Sequence, residues 1–124
     1  ILAAVLGPAA AMFAMMLCVE VPDAECDRTA GKRNLVVIFG TARARRWIAA
    51  VSCFAIAAAI ALTVRVHGGI AGLALSPAVV ATIRLLRLAN GDPRPTSTAF
   101  WGVTLYATTV TGLAIVYATL AVVR

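Results

Sequence analysis

Charge is what this sequence lacks. Only 13% of its residues are charged, 62% are hydrophobic, and the mean hydropathy is +0.96. Soluble domains are about half apolar and about a quarter charged. A chain of 124 residues with this balance carries more apolar surface than one small core can hide. Lipid is the solvent that accepts such a surface; a soluble helical bundle is the competing class. Aromatic residues are also few, at 6%. The aromatic interleaving of a nucleic-acid patch is absent, so the net charge of +6 calls for no nucleic-acid partner. Histidine occurs once, as His67 beside Gly68 and Gly69, and reads as a solvated turn residue. The three cysteines, Cys18, Cys26 and Cys53, are odd in number and match no metal spacing. Cys18 and Cys53 stand in apolar runs, where cysteine acts as a small hydrophobe. No basic region precedes the first apolar run, so that run does not read as a signal peptide. With Ile1 in first place, the chain reads as a piece of a longer one.

What is present is long apolar runs. About 20 apolar residues cross a bilayer as a helix. Four segments are expected to do so: 1–19, 47–64, about 70–88 and about 99–123. Pro8 and Pro77 fall within these spans, which membrane helices tolerate when neighbours satisfy the freed backbone. The connection 20–46 holds Arg28, Lys32, Arg33, Arg43, Arg45 and Arg46. Arg84, Arg87 and Arg94 gather around the later connection "ANGDPRPTST". Nine of the eleven basic residues thus share one side, leaving Arg65 and Arg124 opposite. The positive-inside rule makes the rich side cytoplasmic. The expectation is an all-α, polytopic bundle: a multi-pass protein of the plasma (inner) membrane, with membrane lipids as neighbours and loop 20–46 in the cytoplasm. Arg84 and Arg87 are expected to snorkel to the interface. The spans hold few other polar groups for a transport path, which counts against a small transporter.

The acids are placed unevenly. Glu20, Asp23, Glu25 and Asp27 fall together, leaving only Asp92 elsewhere. Anions near an anionic membrane face are mildly repelled, so the cluster asks for a local cation. If the stretch is helical, Asp23 and Asp27 project one turn apart on one face. Pro22 suits the first turn of such a helix and Gly31 its end. Two such carboxylates suit Mg²⁺, which takes one or two carboxylates, waters and substrate phosphate oxygens. Glu25 points elsewhere, as an outer support or toward water. Lys32 and Arg33 follow at once, and both neutralise phosphate. On spacing alone, a solvated loop with Asp23 and Asp27 paired to Arg28 or Lys32 competes with this reading.

The string "PDAECDRTAGKRNLVVIFG" resembles the second aspartate-rich motif of the UbiA-type intramembrane aromatic prenyltransferases. The family form reads D-x-E-x-D-x-x-x-G-K-R-T-L-x-V-x-x-G. Asp23, Glu25, Asp27, Gly31, Lys32, Arg33, Leu35, Val37 and Gly40 match it. Asn34 stands where the family commonly has threonine, and Ile38 and Phe39 replace its usual R-L. Gly7-Pro8 and the "DP" before the last span are consistent with the family but generic.

The resemblance implies a nine-helix fold, of which this chain would supply helices six to nine. It implies transfer of a polyprenyl group from a polyprenyl diphosphate to an aromatic acceptor of quinone-precursor type. Asp23 and Asp27 would act as catalytic metal ligands for Mg²⁺, with Lys32 and Arg33 on the diphosphate. The first aspartate motif is absent from this sequence, so the partner would be the missing N-terminal helices, and the piece alone would be inactive. A non-aromatic lipid or carotenoid acceptor, or a non-catalytic half-protein, are the alternatives.

Overall fold

A computed structural model describes residues 2–67, 73–89 and 95–123. Everything regular in it is helical: α1 (Leu2–Thr29), α2 (Leu35–Phe39), α3 (Thr41–His67), α4 (Ser76–Ala89) and α5 (Pro95–Val123). Three helices contain stretches long and apolar enough to cross a membrane: Val5–Thr29, Thr41–Arg65 and Ser97–Thr119. The all-α class and the membrane-type helices agree with the sequence.

Two details differ from expectation. The connection 20–46 is mostly helix, because α1 runs without a break to Thr29. Pro22 therefore lies inside α1 rather than in a first turn. It forfeits one backbone bond, while its neighbours Glu20, Ala24, Glu25 and Arg28 keep the helix going. At 1.5 Å per residue, the 28 residues of α1 reach about 42 Å, beyond the roughly 30 Å hydrocarbon thickness. Its last turns therefore have room to carry charge.

The second difference is the third span, expected at about 70–88. Residues 70–72 lie outside the described ones, 73–75 form a 3₁₀ turn, and α4 has only 14 residues. At about 21 Å this helix is too short to cross alone. Pro77 marks its first turn, where a missing N–H is harmless, rather than an interior position.

α1 packs on α3 and α5, and α4 packs on the same two helices from the other side. Small residues set these seams. A Cβ at Gly102 would meet the Cys18 Cβ at 2.4 Å, and one at Gly112 would meet the Ala74 carbonyl oxygen at 2.7 Å. Close approach of this kind is what holds helices together where lipid offers no hydrophobic drive. The core is correspondingly alanine-rich, with Ala11, Ala14, Ala55, Ala78 and Ala81 fully covered around Leu17, Ile48, Leu85 and Leu105. Three buried threonine hydroxyls bond back to their own helices, whereas the buried Ser52 hydroxyl has no partner among the described residues. Thr63 donates to the Ala59 carbonyl (2.8 Å), Thr82 to Ala78 (3.0 Å) and Thr109 to Leu105 (2.7 Å). Each removes an orphan donor from an apolar setting.

Candidate metal and phosphate site

The end of α1 is built by a chain reversal at Gly31. Its φ of +73° is open to glycine and strained for other residues. The Gly31 N–H donates to the Arg28 carbonyl (3.2 Å) and the Lys32 N–H to the Asp27 carbonyl (2.9 Å). This paired pattern satisfies carbonyls that the helix end would otherwise leave open. It also folds residues 32–34 back along the last turn of α1.

Asp27 is where they return. Lys32 Nζ lies 2.8 Å from Asp27 Oδ1. Asn34 Nδ2 donates to Asp27 Oδ2 at 2.8 Å. Meanwhile Asn34 Oδ1 accepts from the Val37 N–H at 2.8 Å, capping α2. One asparagine therefore ties the carboxylate of α1 to the start of α2, whose Val36 is buried. The Asp27 side chain is 14% exposed and that of Lys32 69%. The Asp27 hydrogen bond, and after it the Asp27 charge, raises the Lys32 pKa above its ordinary value.

The other predicted residues lie on different sides of the same helix end. Asp23 is exposed, one turn before Asp27 on the same helix. Arg33 is exposed beside Lys32. Glu25 projects to a different side of α1, where it pairs with Arg28 at 2.5 Å. There it borders a groove of about 260 Å³ shared with Thr41 and Arg45 of α3. Of the pairings considered on spacing alone, Asp27–Lys32 is formed. Sequence reasoning noted Asn34 only as a departure from the motif. Its signal was an asparagine between a glycine turn and an apolar run, the mark of a helix cap.

The donor chemistry suits a hard divalent cation. Each carboxylate has about four lone-pair positions, so one hydrogen bond per oxygen leaves Asp27 with capacity to spare. Lys32 already supplies one positive charge to Asp27, and its long, exposed side chain can swing aside. Among the described residues no third acidic, cysteine or histidine side chain joins the pair. Asp23 and Asp27 would hold such an ion, with water and substrate oxygens as its other ligands.

Basic residues crowd the same end of the bundle. Arg45 lines a cleft with Leu85, Leu88 and Ala89, which brings the end of α4 level with the start of α3. Arg84 was expected to snorkel; its guanidinium stands 5.6 Å from the centre of the Trp101 ring, a cation–π contact. Arg94 and Arg124 lie outside the described residues. Comparison with protein-family models, with curated proteins and with solved structures finds no match to this chain.

Proposed function

We propose that this chain is part of a magnesium-dependent membrane prenyltransferase of the UbiA type. It would move a polyprenyl group from a polyprenyl diphosphate to an aromatic acceptor, at the cytoplasmic face of the plasma membrane. The observation that carries the proposal is the setting of the acidic pair. Asp23 and Asp27 end an apolar helix, beside Lys32 and Arg33, at the basic end of the bundle. Four spans are part of this proposal. The 3₁₀ turn at 73–75 and α4 are the described part of the third.

A Mg²⁺ ion bound here would supply positive charge against the diphosphate as its C–O bond breaks. Lys32 and Arg33 would share that task, Arg33 through its two-pronged guanidinium. Asn34 keeps Asp27 aimed. The exposed apolar face of α1, with Val5, Met12, Met16 and Val19, leads along the helix to Asp23. It offers a surface for a prenyl tail, and the missing helices closing over it would keep water from the reacting carbon.

A second reading rests on the clasp itself. Both Asp27 oxygens are engaged by this chain's own side chains, as suits a non-catalytic half-protein that uses the motif only for folding. One assay separates the two. The chain is placed in lipid with a radiolabelled prenyl diphosphate and an aromatic acceptor, alone and together with helices bearing a first aspartate motif. No product alone, and Asp27-dependent product together, is the expected result. Turnover by the chain alone would mean a complete small enzyme. No product in either case, with the clasp intact, would favour the folding role.

A further inference from the structure

The first turns of α3 run against ordinary helix electrostatics. A helix N-terminus carries roughly half a positive charge and favours acids. α3 begins at Thr41 with no acidic residue in its first turn, and Arg43, Arg45 and Arg46 follow at once. Arg45 is half-buried and faces α1 and α4. Arg43 and Arg46 are exposed on the opposite side. With Trp47 they line an open notch of about 280 Å³. Among the described residues neither arginine has an ion-pair or hydrogen-bond partner. Their charge therefore adds to the helix dipole, and no described side chain pairs with them to offset it.

The rim of the notch is apolar. Trp47 is 41% exposed, and its ring lies 5.0 Å from Phe39, tilted by 45°. Phe39 and Ile38 are exposed as well. Tryptophan beside arginine at the end of an apolar helix is the composition of the headgroup layer, where one side of the ring is greasy and the other wet. A soluble anion would satisfy the guanidinium groups but leave the Trp47–Phe39 pair in water. A phospholipid satisfies both, with its phosphate on the arginines and its glycerol and acyl carbons on the aromatic pair.

We propose that Arg43, Arg46 and Trp47 form a binding site for the headgroup phosphate of an anionic phospholipid. None of these three residues bonds to Asp27, whose partners are Lys32 and Asn34, and the site does not depend on the proposed prenyl transfer. Its occupant offsets the charge at the α3 N-terminus and fixes the depth of that helix in the bilayer.

Fluorescence tests this directly, since the sequence has two tryptophans. Trp101→Phe, outside the notch, leaves Trp47 as the reporter. The chain is placed in phosphatidylcholine vesicles containing a fixed fraction of brominated lipid, either phosphatidylglycerol or phosphatidylcholine. Brominated phosphatidylglycerol is expected to compete for the Trp47 site about tenfold better, given the pull of each basic residue on anionic lipid. Equal quenching by the two lipids would overturn the proposal, and this comparison needs no change at the notch. Arg43→Gln with Arg46→Gln is expected to reduce the preference to about twofold or less, while Arg65→Gln leaves it intact. A preference that survives the double change, or one abolished by millimolar pyrophosphate, would also overturn it. In the latter case the notch takes a soluble diphosphate rather than a lipid.

Discussion

The two long faces of α1 are both apolar, yet they are built differently. The inner face presents Ala11, Ala14, Leu17, Cys18, Val21 and Ala24, all at most 5% exposed. It is sealed by Gly102 of α5 against Cys18 and by Gly7 against Ala55 and Ala59 of α3. The outer face presents Val5, Met12, Met16 and Val19, each more than 40% exposed, and then Asp23. In water the outer face of a helix is the polar one. Here polarity enters only at the last turns. Burial by neighbours therefore does not explain the composition of α1; residue size does. Small side chains mark where helices meet, larger flexible ones where lipid, a ligand or a further helix lies. Asp23 and Asp27 continue the second face by helical spacing, so the proposed chemistry and the packing can be broken separately.

The largest expected effect is on the outer face. Under the proposed function, Asp27→Ala or Asp23→Ala in an enzyme containing this chain should lower turnover on the order of a hundredfold or more, the scale of losing charge stabilisation at a reacting centre. The measurement is product formation against magnesium concentration. Wild-type turnover in either variant would remove these residues from the site.

On the inner face, Gly102→Ala should loosen the bundle. The added carbon would lie 2.4 Å from Cys18 Cβ and 2.8 Å from its sulfur. Overpacking of this kind costs about 1–3 kcal/mol. Gly7→Ala is the control, since its nearest neighbour would be the Ala55 carbonyl at 3.3 Å. Thermal unfolding in detergent should rank Gly102→Ala clearly below Gly7→Ala. Equal losses would mean that the α1–α5 seam is no tighter than the α1–α3 seam.

The clasp comes next in size. Asn34→Ala removes both the α2 cap and the tie to Asp27, and should cost about 1–2 kcal/mol of local stability. Asn34→Ser keeps a capping oxygen but cannot reach Asp27 with a donor. Protease cutting between Gly31 and Leu35 should be fast in Asn34→Ala and intermediate in Asn34→Ser. Serine at wild-type protection would mean that the cap alone orders the segment. The Lys32 contact adds a pH dependence. Its pKa is raised by Asp27, so its contribution is whole below the ordinary lysine value and is lost as pH rises through the raised one. Protection should therefore hold through neutral pH and fall only in strong alkali.

Much of this was legible in the sequence, and the gaps have physical causes. Apolar length showed α1, α3 and α5, because a lipid-crossing helix needs little beyond length and greasiness. The start of α4 at Ser76 was hidden, because a proline within an apolar run fits either a tolerated interior or a first turn. The helix through Pro22 was hidden because a proline between acidic residues reads as the first turn of a new helix rather than the interior of an old one. Asp23 and Asp27 were legible as a pair because helical spacing is local. The Asn34 tie was not, since it depends on the reversal at Gly31 that brings residue 34 back beside residue 27.

The smallest expected effect is at Glu25, and it sharpens the comparison most. Glu25 shares its helix and its charge with Asp23 and Asp27 and stands two residues from each. At 100° per residue that turns it to the other side of α1. There it pairs with Arg28 beside the groove against α3, with its side chain 78% exposed. An exposed pair of this kind contributes at most ~0.5 kcal/mol when one charge is neutralised. Glu25→Gln should therefore unfold within that margin of the parent chain. In an enzyme containing this chain it should keep most of its magnesium-dependent turnover, where Asp27→Ala keeps almost none. A loss as deep as that of Asp27→Ala would move the phosphate-binding side of α1 to the 260 Å³ groove shared with Thr41 and Arg45. The apolar outer face would then be a lipid surface only.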